Sequence, residues 1–508
     1  MADIRKNVWS LGGDWAEPIL WYARGVKVMK SRSMDNRLSW RFFAGIHDYD
    51  QSIWSALGQL AGPQPSDADV ATYWRQCQHG NWYFLPWHRG YLVAFEAAIR
   101  DAIKSLPGAP KDWTLPYWNY FLPGQNKLPP AFASPSWPDN DGPNPLFVVE
   151  RWGSPKHLDD VPLKKIEEGA LRDPDFVGTG STSGGGTGFG GPRLGFLNRG
   201  RRHGGIETQP HDFVHSLVGG SNGATDGLMS SQATAPLDPI FWLHHANIDR
   251  LWEVWTRQPT AKGNPTDPAW LDGPASNGER AFVMPMPNQA KPWAYTPRDV
   301  NTLEQVGYTY DDLTTQVSPH TLAERVMLLR AATPTAKDAP VIESANATDV
   351  ELLGANGGPI MVAGTSAHTQ VTMAPSVEKR TLASLQLAGP KGLPDRVFLN
   401  LENVRGKLDS TILDVYVNLP DGSDPDQHPE LRAGSVSFFG VRAVSTPDGP
   451  HQDEGMTFVL EITRVMDRLH IARALDPGHL DIRLIPLAPV PEAAQVTIDR
   501  ISVFRQGL

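Results

Sequence analysis

Two stretches near the middle of the chain, PHDFVH at residues 210–215 and DPIFWLHHANIDRLWEVW at residues 238–255, restrict the fold more than any other feature. In the first, His211 and His215 are four residues apart, so on a helix both imidazoles leave one face about one turn apart, a spacing suited to one metal ion. Taken alone, such a pair is as readily a polar helix surface or a satisfied core pair. In the second, the helical period sets His244 on the apolar stripe with Ile248, Leu251 and Trp255, whereas His245 shares its face with Asp249 and Trp252. A carboxylate one turn from an imidazole can fix its tautomer and orientation. His245 therefore reads as a ligand backed by Asp249, and His244 as a core residue.

Nine of the fifteen histidines precede residue 250, mostly in small clusters, so the first part of the chain carries the chemistry. Trp40, Phe43 and His47 follow i, i+3, i+7 spacing, and Leu92, Phe95, Ile99 and Ala102 extend a stripe beyond His88. Both patterns predict half-buried helices. The stretch CQHGNWYFLPWHR at 77–89 adds His79 and the sole cysteine, Cys77. A single cysteine forms no internal disulfide and by default is a buried thiol. Two trios of imidazoles result: His47, His79 and His88, then His211, His215 and His245. With no obvious carboxylate ligand they favour a nitrogen-loving metal, leaving copper, zinc and iron open. A zinc hydrolase needs only one such trio, so two point to a binuclear centre.

The formal net charge of −10 gives no basic footprint for nucleic acid or an anionic membrane. Neither a signal-like amino terminus nor eighteen uninterrupted apolar residues occurs, so a cytoplasmic protein is expected. GTGSTSGGGTGFGG at 178–191 reads as a mobile loop without the features of a phosphate-binding loop. After about residue 345 the period becomes two, as in Leu413, Val415, Val417 and Leu419, predicting strands and most simply a β-sandwich. Val496 and Ile498 are out of phase with Ile501 and Val503, which predicts a bulge near Asp499 and Arg500. The expected organisation is α+β and multidomain: a mainly helical domain over 1–310, a linker over 311–345 and a β-domain over 346–508.

HGNWYFLPWHRGYLVAFE resembles the first-copper signature of the tyrosinase and polyphenol oxidase family, the type-3 copper enzymes, and IETQPHDFVH with DPIFWLHHANIDRLW resembles the second. VGYTYDD, with Tyr308 and Tyr310, is similar to the motif closing the catalytic domain; LDVYVNL and VTIDRISVF resemble the carboxy-terminal β-domain of the plant enzymes. The resemblance covers nearly the whole chain. It lacks the plant enzymes' amino-terminal disulfide cysteines and plastid-targeting peptide.

The resemblance implies a four-helix-bundle copper domain holding two copper ions, with His47, His79 and His88 on one and His211, His215 and His245 on the other. It implies a thioether between Cys77 and His79, which stand at the C-x-H spacing of the fungal-type members. It implies reaction of a phenol with O2: monophenol to o-diphenol, then o-diphenol to o-quinone. Glu207 matches the family position holding a water that takes the phenol proton, Asp212 stands where asparagine is frequent in monophenolases, and the two together are expected as the catalytic general-base apparatus. Gln232 falls where plant enzymes often have a phenylalanine above the first copper, with Met229 and Ser231 as candidate mouth residues; a flexible polar residue there favours tyrosinase over catechol oxidase. An oxygen carrier like the hemocyanins uses the same six histidines with shielded coppers. The β-domain is expected as a lid over the active site, and a homo-oligomer is compatible with the family.

Overall fold

The computed structural model describes residues 2–153, 169–178, 184–315, 350–374, 384–385, 394–446, 454–476 and 478–507. Most of the expected linker, from 316 to 345, lies outside these residues. Among the described residues up to Thr256 the α-helices are α1 (Glu17–Ser31), α2 (Trp40–His47), α3 (Gln51–Ala56), α4 (Asp67–Tyr73), α5 (Phe84–Ile103), α6 (Pro130–Ala133), α7 (Phe213–Gly219) and α8 (Ile240–Thr256). Four of them, α2, α5, α7 and α8, form the bundle that carries the histidines, and α1 packs on α2 and α5.

Local chemistry fixes where these helices start. Ser39 Oγ accepts from Phe42 N at 3.1 Å, a cap that contributes about 1 kcal/mol and positions α2 so that His47 ends it. Asp238 Oδ1 accepts from Ile240 N at 3.0 Å at the head of α8. The same carboxylate is gripped by Arg151 through Nε at 2.9 Å and Nη2 at 2.6 Å, tying α8 to the preceding connection. Aromatic rings fill the bundle: Phe95 of α5 and Trp242 of α8 stack with an interplanar angle of 6°.

Both ends of the helical domain meet. Strand β1 (Asp3–Arg5) pairs in parallel with β4 (Tyr308–Tyr310), while β2 (Phe282–Met284) and β3 (Trp293–Tyr295) form a separate hairpin. Arg5 is fully buried, lies over the Tyr308 ring at 3.6 Å and pairs with Glu96 at 3.0 Å. The two tyrosine hydroxyls donate to Asp249 Oδ2 at 2.7 and 2.6 Å, and Arg89 Nε donates to its Oδ1 at 2.5 Å.

The strands from residue 350 onward form a single antiparallel sheet. Its strands are β5 (Val350–Ala355), β6 (Ile360–Val362), β7 (Ala367–Met373), β8 (Arg396–Arg405), β9 (Ile412–Val417), β10 (Arg432–Ser437), β11 (Met456–Glu461), β12 (His479–Pro486) and β13 (Val496–Gln506). Their order is β10-β9-β12-β7-β5-β13-β8-β11, with β6 on β13. The sheet curls until its edges, β10 and β11, come into contact, so the two layers expected of a sandwich are opposed walls of one barrel-like sheet. Leu413, Val415 and Val417 face its core, whereas Ile412 packs into the core of the helical domain.

Two sequence expectations are corrected. The phase change in β13 involves no register shift against β8, where Ile498 pairs with Val404 and Arg500 with Glu402. Asn403 of β8 takes φ 53° at that level, so the partner strand absorbs the irregularity, and the shift in β13 comes later, between Val503 and Phe504 against β5. The glycine stretch expected as a mobile loop is packed into the structure where it is described: residues 184–191 are buried. Asn400 Nδ2 donates to Gly184 O at 3.2 Å, and Gly186 N donates to Gln506 Oε1 at 3.1 Å. A Cβ on Gly184, at φ 86°, would stand 2.5 Å from the Phe504 ring, so glycine is required by a close approach of backbone to sheet.

Candidate metal centre

Every histidine expected to bind metal is buried, and the bundle gathers them into two adjoining groups. One contains His47, Cys77, His79 and His88, the other His211, His215, His244 and His245, with the ligand atoms of each group within 4.8 Å of one another. The groups face each other: the His88 and His245 rings stack 4.4 Å apart at 16°, and His79 lies 5.8 Å from His211. His47 ends α2, His88 lies in the first turns of α5, and His245 is on α8. His211 sits just after a kink at Gln209, whose backbone is extended (φ −145°, ψ 122°), in a turn that runs into α7, where His215 follows.

The hydrogen bonds behind the rings fit a metal. Nδ1 donates to Gln232 O from His47 (2.9 Å), to Phe84 O from His88 (2.8 Å) and to Met229 O from His215 (2.8 Å). His211 Nδ1 donates to Asp212 Oδ1 at 2.8 Å. With Nδ1 committed, each of these rings presents the Nε2 lone pair to the interior. The Nε2 atoms of His47 and His211 are buried without a partner, and those of His215 and His245 stand 3.2 Å apart, an arrangement a shared cation would satisfy. Burial holds His47 down at about 3 and the other five well below the ordinary histidine range, so all six are neutral and ready to coordinate.

The environment of α8 differs from its helical-wheel reading in two respects. Asp249 does not back His245: its oxygens are taken by Arg89, Tyr308 and Tyr310, and His245 Nδ1 has no hydrogen-bond partner. The long-range closure of the domain competes for that carboxylate and wins. Nor is His244 only a core residue. It lies beside His211, rings 5.5 Å apart at 27°, and belongs to the second group.

Cys77 Sγ lies against the His79 ring, 3.3 and 3.6 Å from its two nitrogens, and 3.3 Å from His88 Nε2. Burial, then Glu207 and Asp48, push its thiol well above the ordinary range. Glu207 is fully buried, and both its oxygens accept from Gly80 N at 3.0 Å, next to His79. Burial is the main reason its carboxyl is pushed up to about 8, opposed by His203 and reinforced by Asp212. Gln232 orients His47 through its carbonyl, and its side-chain Oε1 is buried without a partner. Met229 acts likewise on His215; Ser231, also buried, accepts the Thr234 amide in the same connection.

Two residues that sequence reasoning missed complete the surroundings. Phe439, after β10, stacks on His215 at 4.3 Å and 21° and meets His211 edge-on at 5.6 Å. His203 donates from Nδ1 to Asp212 Oδ2 at 2.6 Å, and its ring lies 6.1 Å from that of His79. Asp212 and then Glu207 hold it up at about 9 against the opposing effect of burial. Among basic neighbours in RGRRHGG, His203 looks like a surface residue; only the fold shows it buried beside two carboxylates.

Comparison with known proteins agrees with this geometry. A family profile described as the common central domain of tyrosinase matches residues 37–145 and 165–258, and a domain of unknown function matches residues 349–506. The chain is 31% identical to tyrosinase HcTyr1 of Hahella sp. (strain CCB-MM4), with 99% of each chain covered. It is 25% identical to a chloroplastic polyphenol oxidase of Malus domestica, over 80% of this chain and 64% of that protein. In fold it is similar to latent apple tyrosinase (TM-score 0.57, 22% identity, 99% of this chain and 97% of that one). A tyrosinase from Burkholderia thailandensis has TM-score 0.50 at 16% identity, over 97% and 96%. Full-length similarity and two facing histidine groups together place the chain in the tyrosinase and polyphenol oxidase family, with its binuclear copper centre.

Proposed function

We propose that this chain is a tyrosinase, using O2 to hydroxylate monophenols to o-diphenols and to oxidise o-diphenols to o-quinones. His47, His79 and His88 would hold one copper, and His211, His215 and His245 the other. The bound pair would supply O2 activation and electron transfer. The observation that carries the reading is the pairing of these trios with a buried carboxylate, Glu207, fixed beside His79 by the Gly80 amide. Glu207 would take the phenol proton, directly or through one water. The test is the copper-loaded full chain with tyramine and with catechol, trapping the quinone. Product from both supports tyrosinase; product from catechol alone leaves a catechol oxidase, and from neither an oxygen carrier.

The β-domain supports a second element of this reading, a latent enzyme. Phe439 lies against two ligand imidazoles of the second site, where a phenol ring would stack. A ring held there by the sheet excludes bulky phenols until the domain moves. Ending the chain near residue 330 is expected to raise diphenol oxidation; no rise over full length would refute the lid. The contact of Cys77 with His79 supports a thioether. One S–C bond would form as the thiol hydrogen and a ring hydrogen leave, the two electrons going to O2. Rigid tethering of His79 limits its rearrangement as copper changes oxidation state.

A further inference from the structure

Asp212 immediately follows a ligand, yet neither of its oxygens faces the metal centre as an open acceptor. Oδ1 accepts from His211 Nδ1 at 2.8 Å and Oδ2 from His203 Nδ1 at 2.6 Å. All three side chains are buried. A buried carboxylate needs a donor for each oxygen and, if ionised, a counter-charge. No Lys or Arg is paired with Asp212 or with Glu207 among the described residues; His203 alone adjoins both, its Nε2 lying 3.6 Å from Glu207 Oε1. His203 is itself pressed into place by glycine: a Cβ on Gly200 would stand 2.1 Å from His79 O, and one on Gly204 2.6 Å from Gly191 N.

We propose that His203 is a positioning residue of the second copper site: its Nδ1–H on Asp212 keeps the other oxygen of that carboxylate on His211 Nδ1–H, which sets the orientation and donor strength of the His211 imidazole. The inference rests on the copper reading above. A carboxylate behind a ligating imidazole raises its basicity and stops its rotation, and loss of such a partner typically lowers metal affinity 10–100-fold. Here the carboxylate is itself held by a second histidine, so the chain of control runs His203, Asp212, His211. Asp212 is thereby committed to the ligand, leaving Glu207 as the base.

The discriminating pair is His203→Asn and His203→Gln, with His203→Ala as the deletion. The amide nitrogen of asparagine reaches the place of Nδ1, whereas that of glutamine reaches the place of Nε2. Copper-loaded full-length protein is titrated with a chelator, and copper per chain and the paramagnetic signal of a lone Cu(II) are followed. Wild type is expected to release its coppers together. The Gln and Ala variants are expected to release one copper at roughly 10–100-fold lower chelator, with the signal appearing as they do, while Asn stays close to wild type. Release of both coppers by all three variants at the wild-type concentration would overturn the inference, as would an Asn variant that behaves like Gln. Wild type holding fewer than two coppers would overturn the copper reading itself and this inference with it.

Discussion

Glu207 carries its carboxyl where water does not reach it, and that sets when it can act. A base must be unprotonated, and burial pushes this one up to about 8. Monophenol kcat/KM is therefore expected to rise through neutral pH and level off above about 8, while catechol oxidation, which needs less help from a base, rises less. Glu207→Gln should lower monophenol hydroxylation by about 10²–10⁴-fold, the usual contribution of general-base catalysis, and leave catechol oxidation the larger residual activity in a quinone assay. For Cys77, intact mass after reduction should be lower than calculated by two hydrogens, and Cys77→Ala should match its calculated mass. A wild-type mass equal to the calculated one would refute the thioether.

At the scale of elements, the turn after β10 is the most consequential. Phe439→Ala should raise kcat/KM for bulky diphenols in the full chain, measured against a small catechol, because it clears the space over His215 without disturbing a strand. Gly184→Val should destabilise by about 2 kcal/mol through overpacking on Phe504, read as a fall in melting temperature. The copper helices were legible because a metal site on a helix leaves a period: His211 with His215 and the stripe through His47 need only local geometry. The strands of the β-domain were legible for the same reason, alternation. Asp249, Phe439 and His203 were not, since each is defined by a partner far along the chain. Asp249 sits one turn from His245 but answers to tyrosines near residue 310. The glycine stretch has a loop's composition, and nothing local reveals that Phe504 and Gln506 would come to rest on it.

At the scale of the molecule, a buried acid pair joins the two halves. Asp226 accepts from the amides of Asp409 and Ser410 at 2.9 and 3.1 Å, while Asp409 accepts from Arg442 N at 2.7 Å. Burial, then Asp226, push Asp409 up to about 8 in spite of Arg442 and Arg199. The folded chain thus keeps a proton that the unfolded chain gives up near the ordinary carboxylate pKa of about 4. Stability from this pair is fullest below that value and declines as pH climbs to about 8. Asp409→Asn should flatten the decline in melting temperature between pH 5 and pH 8.5; an unchanged slope would discount the pair.

The clasp of β1 on β4 has a consequence for truncated chains. The tyrosine hydroxyl that receives the Arg5 guanidinium stands 305 residues further along the chain. Without Tyr308 and Tyr310, Asp249 on α8 lacks two of its donors and keeps only its arginine partners. A chain ending short of Tyr308 and Tyr310 is therefore expected to hold its imidazoles without a settled cage around them, read as weaker copper retention than in the full chain.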